Sequence, residues 1–183
     1  LFGFHRLSIN GLTQESNQPI KIDNIVLICN GEIYNYKELY ELMNVTPQTS
    51  SDCEVIIHCY KKFGIKYTLE ILDGVFGFIL LDNDPYNTQL YVARDPYGVR
   101  PLYIMESNIR NQVYGFASEM KTLIEINHKL NKINNIQNNS SQQIEQYIIK
   151  HYYIRDGYKW IMGEEKIWFS DPQNLITKEN FFI

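Results

Sequence analysis

The chain has 183 residues, 44% of them hydrophobic and 14% aromatic, which suits one domain with a full core. Seventeen basic and twenty-one acidic residues are interspersed at a net charge of −4, leaving no basic face to neutralise phosphates and excluding nucleic acid as the expected partner. No apolar run approaches the roughly 18–20 residues that span a bilayer, and signal-peptide flanks are missing, so a cytoplasmic protein off the membrane is expected.

Leu1 to Ile9 combines β-formers with weak alternation and predicts a strand that starts with neither leader nor initiator methionine, as though cut. Ile25 to Cys29 predicts a buried strand running into Asn30-Gly31-Glu32. Tyr36 to Met43 predicts a short helix, capped by Asn35 with Glu38 three residues on. Ser51-Asp52-Cys53-Glu54 has the form of a capping box ahead of an apolar stripe at Val55, Ile56, Cys59 and Phe63, ending near Gly64. Asp52 then falls in a first helical turn, where backbone N–H groups favour a carboxylate.

From Leu72 the pattern predicts an antiparallel meander: Val75 to Leu81, Gln89 to Arg94, a turn at Asp95-Pro96-Tyr97-Gly98, Pro101 to Met105 and Val113 to Ala117. Ser118 caps a helix through Met120, Leu123 and Ile124. Residues 127–139 hold six asparagines in thirteen positions and predict a flexible insertion. The expected division is therefore 1–126 as the functional domain, 127–143 as the insertion, and 144–183 as an edge strand and linker.

Three cysteines without paired spacing argue against a disulfide framework and a zinc knuckle. Cys53 and Cys59 on one helix are rotated by roughly 240°, off a common face, so they do not share a metal. His58 beside Cys59 is read as packing, and His5, His128 and His151 as solvated or packed imidazoles. Asn30-Gly31 admits two readings. The dipeptide is what a tight turn uses, and it also offers a side-chain amide and an open backbone N–H, the two donors an oxyanion site needs.

Six segments in order bear on that choice: Phe4-His5-Arg6-Leu7-Ser8-Ile9, Cys29-Asn30-Gly31-Glu32-Ile33-Tyr34-Asn35, Ser51-Asp52-Cys53-Glu54-Val55-Ile56, Leu72-Asp73-Gly74-Val75-Phe76, Ala93-Arg94-Asp95-Pro96-Tyr97-Gly98-Val99-Arg100-Pro101-Leu102-Tyr103 and Ala117-Ser118-Glu119-Met120-Lys121. Together they resemble the glutaminase domain of the asparagine synthetases, class II glutamine amidotransferases. The resemblance implies an α+β fold, the N-terminal-nucleophile hydrolase αββα sandwich of two antiparallel sheets flanked by helices, here incomplete at the N-terminus.

It further implies that Arg6 binds the α-carboxylate of L-glutamine, in keeping with a guanidinium fork. Leu7, Ser8, Ile9 and Asn10 would shape the pocket wall. Asn30 and Gly31 would form the catalytic oxyanion site, and Glu32 and Asp52 would hold the α-ammonium group. Ser50, where the family often has glycine, bears on the loop carrying Asp52. Arg94, Asp95 and Arg100 are expected to form a turn and ion pairs behind the pocket.

In the family the nucleophile is an N-terminal cysteine with its own α-amine as base. Cys29, Cys53 and Cys59 offer no such amine, so the nucleophile strand is expected to be absent from this sequence and the chain alone inactive. The partner implied is a synthetase domain of the same polypeptide, also absent, where ATP and Mg would serve; no cofactor or metal is expected in this chain, and a homodimer is admitted. The alternative is a degenerate module that binds glutamine or a protein without chemistry.

Overall fold

The computed structural model of the chain describes residues 2–4, 13–107, 113–137 and 147–151. Arg6, Leu7, Ser8, Ile9 and Asn10 lie outside the described residues, as do most of the predicted opening strand and the linker from residue 152 onwards.

The strands are β1 (Ile20–Ile22), β2 (Ile25–Ile33), β3 (Gly74–Asn83), β4 (Thr88–Arg94), β5 (Tyr103–Ser107), β6 (Val113–Ala117) and β7 (Tyr147–His151). The helices are α1 (Tyr36–Met43), α2 (Val55–Ile71) and α3 (Met120–Gln137). One four-stranded sheet has the order β1-β2-β3-β4 and a three-stranded one β6-β5-β7, with every described pairing antiparallel.

Alternation along the strands decides the layering. Ile25, Leu27, Cys29 and Ile33 on β2, with Phe76, Phe78 and Leu80 on β3, pack in one buried cluster with Leu39, Met43, Val55, Ile56, Cys59 and Leu69 of α1 and α2. On the sheet's other face Leu90 and Val92, with Ile79 and Leu81 beside them, meet Leu102, Ile104 and Val113 of the second sheet. Met105 and Leu123 then pack α3 against the far side of that sheet. The order is helices, sheet, sheet, helix: an α+β sandwich.

Several local expectations give way to longer-range bonds. Asn35 sits at the cap position of α1 without a side-chain cap bond. Its amide instead donates to Ile71 O at 2.8 Å and accepts from Asp73 N–H at 3.0 Å, tying α1 to the junction of α2 and β3. The box at Ser51 does not close either. Glu54 turns its buried carboxylate to the N–H groups of Gln48 (2.7 Å) and Thr49 (2.6 Å), while Ser51 N–H goes to Thr49 Oγ1.

Gly64 does break the helix, at φ 76°, ψ 167°, but helical structure resumes and runs to Ile71. The helix α3 continues through residue 137, where an aperiodic insertion is predicted from residue 127. Leu123, Ile126, Leu130 and Ile133 recur at intervals of three and four, a helical period that the asparagine count obscures. β7 closes the second sheet by pairing with β5, from Tyr103↔His151 to Ser107↔Tyr147.

Candidate active site

β2 runs across the site, and its two faces and one edge have different tasks. Odd-numbered side chains point into the helical core, so Ile28, Asn30 and Glu32 point the other way, into a cavity of about 530 Å³. The register sets Asn30 opposite Gly77 and Ile28 opposite Ile79, so the same face of β3 continues the cavity wall. Gly77 leaves the space above Asn30 open; a Cβ there would have Arg100 Cβ as its nearest neighbour, at 3.8 Å.

The direction of the Gly31 N–H follows from the ladder. Phe76, opposite Gly31, is turned toward β4: its N–H donates to Asp95 Oδ2 at 3.3 Å and its O accepts from Asp95 N–H at 2.7 Å. Gly31 and Phe76 are therefore a pair that exchanges no ladder bonds, and Gly31 directs its own N–H and C=O to the opposite edge of β2. The Cys53 thiol donates toward Gly31 O at 3.9 Å from that side. Only glycine fits, because a Cβ on Gly31 would lie 2.1 Å from Val75 O and 2.5 Å from Phe76 Cα.

The edge at Gly31 is not covered by β1, whose pairing with β2 runs only from Ile22↔Ile25 to Ile20↔Leu27. Gln18 holds Cys29 there and Asp52 holds Ile33: Ile33 N–H donates to Asp52 Oδ2 at 2.7 Å. Asp52 is only 5% exposed and opens a 3-10 turn, Asp52–Glu54, that leads into α2. The turn is anchored below by Glu54, which is fully buried and also meets His58 Nε2 at 2.9 Å. Burial works to raise the Glu54 pKa, but hydrogen bonds from His58, Thr49 and Gln48 outweigh it and hold the group below its ordinary value.

Across the cavity lie Arg100, Pro101 and Leu102, then Phe116 to Glu119 with Lys121 and Thr122. The bend before them is organised by Asp95, which accepts from Val99 N–H at 2.9 Å and Arg100 N–H at 3.1 Å as well as from Phe76. Arg94, 2% exposed, donates through Nη2 to Gly98 O, and Gly98 has φ +64° with no room for a Cβ beside that guanidinium. Arg94 and Asp95 thus serve the turn, as the sequence suggests. Arg100 departs from that expectation. Rather than standing behind the pocket it lines it, its Nε buried without a hydrogen-bond partner among the described residues.

Of the residues singled out in the sequence, Asn30, Gly31, Glu32 and Asp52 share this one cavity. Sequence reasoning missed Gln18, whose only signal is a polar side chain before Pro19 at the start of a strand, and Arg100, which the turn motif disguises. Cys29 and Cys53 also line the cavity, yet neither is a prepared nucleophile. Both are 2% exposed, and the Cys53 thiol is pushed well above the ordinary thiol range by its hydrogen-bonding neighbour Cys29 and then by burial. Burial pushes Cys59, on the helical side, up to about 12. Among the described residues no group of three His, Cys, Asp or Glu side chains is placed to hold a metal ion. None of the described helices is long and apolar enough to cross a membrane.

A cavity between two antiparallel sheets, with an amide and a glycine N–H at the end of one strand, is a site suited to a small polar substrate. The chain belongs to the glutamine amidotransferase domain family, whose model matches residues 1–165. It is similar to a probable asparagine synthetase (glutamine-hydrolyzing) of Acanthamoeba polyphaga mimivirus, at 44% identity over 122 residues, 66% of this chain and 22% of that protein. An asparagine synthetase (glutamine-hydrolyzing) of Gallus gallus is 39% identical over 158 residues, 85% of this chain and 26% of that one.

Among solved structures, the glutamine phosphoribosylpyrophosphate amidotransferase of B. subtilis, complexed with ADP and GMP, superposes with a TM-score of 0.51 at 31% identity, over 61% of this chain and 26% of the other. That enzyme is an N-terminal-nucleophile amidotransferase, so the sandwich described above is of that fold. The chain spans about a quarter of the length of the relatives it matches.

Proposed function

We propose that this chain is the glutamine-binding part of a glutamine-hydrolysing asparagine synthetase. The observation that carries the reading is the common cavity of Asn30, Gly31, Glu32 and Asp52, with an amide and a backbone N–H on one strand end and two carboxylates beside them.

In this reading the substrate's side-chain carbonyl oxygen lies between the Asn30 amide and the Gly31 N–H. These donors stabilise the negative charge that develops on it during attack. The α-ammonium group pairs with Asp52 and Glu32. Asp52 remains aimed because Ile33 N–H fixes one of its oxygens. Arg6 takes the α-carboxylate as a bidentate fork, and Leu7 to Asn10 form the adjoining wall. None of Cys29, Cys53 and Cys59 is the attacking thiol, given their burial and the raised pKa values of the latter two.

The ammonia released goes to a synthetase region of the complete protein, which uses ATP and Mg to convert aspartate to asparagine. We place the protein in the cytosol. The test is an assay of the complete gene product for ammonia release from glutamine and for asparagine formation from aspartate and ATP. Both activities are expected, with glutamine and free ammonia each supporting synthesis. A protein that makes asparagine from ammonia but leaves glutamine intact contradicts the reading.

A further inference from the structure

We infer that Gln18 is a positioning residue for the oxyanion donors, its side-chain amide standing in for the strand that β1 fails to provide beside Cys29. The inference rests on the glutaminase reading above.

The register makes the substitution explicit. β1 last pairs Ile20 with Leu27, and from Ile20 back to Gln18 the chain bends and leaves the ladder, so no strand residue is paired with Cys29. Pro19 between them has no N–H to contribute to a ladder. Where a strand backbone would exchange a pair of hydrogen bonds with Cys29, the Gln18 carboxamide does so: its Nε2–H donates to Cys29 O at 2.9 Å, and Cys29 N–H donates to its Oε1 at 2.6 Å. A carboxamide is the one neutral side-chain group with a donor and an acceptor spaced like those of a peptide.

Cys29 O belongs to the peptide plane that begins Asn30, the residue whose side chain enters the cavity. Residues two apart in a strand direct their polar groups to the same edge, so Cys29 and the Gly31 N–H share an orientation. Fixing Cys29 on that edge therefore aims both donors, although Gln18 need not touch the reacting carbonyl. Before Gln18 the chain forms a 3-10 turn, Gln14–Ser16, whose Ser16 Oγ accepts from Ser50 N–H at 3.1 Å. Among the described residues the edge is thus held at Cys29 by Gln18 and approached at Gly31 O by the Cys53 thiol, beside the cavity that Gln18 itself lines.

Gln18→Met keeps the shape and removes both bonds; Gln18→Glu keeps an acceptor for Cys29 N–H and sets an oxygen against Cys29 O. In the complete gene product, each should lower kcat for glutamine hydrolysis, roughly ten- to hundred-fold for Gln18→Met. KM for glutamine and the rate of ammonia-fed asparagine synthesis should stay at the wild-type values. That split is the signature of misplaced transition-state donors, whereas general loss of fold lowers both activities together. Gln18→Glu, with one bond kept, serves with the same readouts should Gln18→Met not fold. Unchanged kcat in a folded variant, or equal losses in the glutamine and ammonia reactions, overturns the inference. A wild-type protein that hydrolyses no glutamine overturns the glutaminase reading itself, and is told apart by the wild-type control.

Discussion

Two buried aspartates near the site accept hydrogen bonds from backbone N–H groups, and they do opposite things with the rest of their capacity. Asp95 is largely taken up: three N–H donors, from Phe76, Val99 and Arg100, converge on its two oxygens and lock β3 to the bend after β4. Asp52 accepts one backbone N–H, from Ile33, on an oxygen that the Cys53 thiol also approaches at 3.9 Å, and the residue lines the cavity. The two are buried alike, at 0% exposure for Asp95 and 5% for Asp52. On the proposed reading, what separates the structural carboxylate from the binding one is how many of its lone pairs the protein itself has taken.

Substitution should break the two differently. Asp95→Ala removes a charged acceptor from three backbone donors, and should cost about 3–5 kcal/mol in denaturant unfolding. A loss below about 1 kcal/mol would mean that the bend is held by something else. Gly31→Ala comes next, since its Cβ would collide with Val75 O and Phe76 Cα. About 3 kcal/mol of destabilisation is expected from the forced separation of β2 from β3, measurable in the same experiment. An alanine accommodated at no cost would show that the strands do not approach so closely.

Glu54 sharpens the comparison from a third side, because it supports the turn carrying Asp52 rather than the substrate. Its folded pKa is held below its ordinary value of 4.5, so its contribution to stability is fully present above that value and is lost as pH falls through the folded pKa. Between about pH 5 and pH 3 the wild type should lose stability more steeply than Glu54→Gln. Parallel pH profiles would contradict the role given to its hydrogen bonds.

The smallest structural effect is expected at Asp52. Asp52→Asn retains an acceptor for Ile33 N–H and should cost under about 1 kcal/mol, while KM for glutamine rises roughly ten- to hundred-fold from loss of a charged partner for the ammonium group. Stability lost without a change in KM would put Asp52 in the same class as Asp95.

The legibility of the fold in the sequence tracks how local its causes are. Strands β2 to β6 are readable from dense runs of apolar residues and β-formers bounded by turns, and the start of α2 from its apolar stripe of helical period. The caps were misread because Asn35 and Glu54 find better partners far along the chain than in their own first turns: Ile71 and Asp73 for Asn35, Gln48 and Thr49 for Glu54. The continuation of α3 was hidden by asparagines, poor helix formers alone, laid over a three-and-four spacing of Leu123, Ile126, Leu130 and Ile133.

At the site, Asn30 and Glu32 could be placed on one face by parity, whereas the aim of the Gly31 N–H needed the β3 partner and its bonds to Asp95. Gln18 could not be found from sequence. Its role exists only because β1 stops pairing at Ile20, and neither local propensity nor spacing encodes where a strand pair ends.

The most direct measurement is steady-state glutamine hydrolysis by the complete gene product with Asn30→Ala beside the wild type. Loss of one oxyanion donor should lower kcat by about 10²–10³ while KM for glutamine holds. An unchanged kcat, or a loss that appears in KM alone, would contradict the assignment of the β2 strand end as the place where the transition state is stabilised.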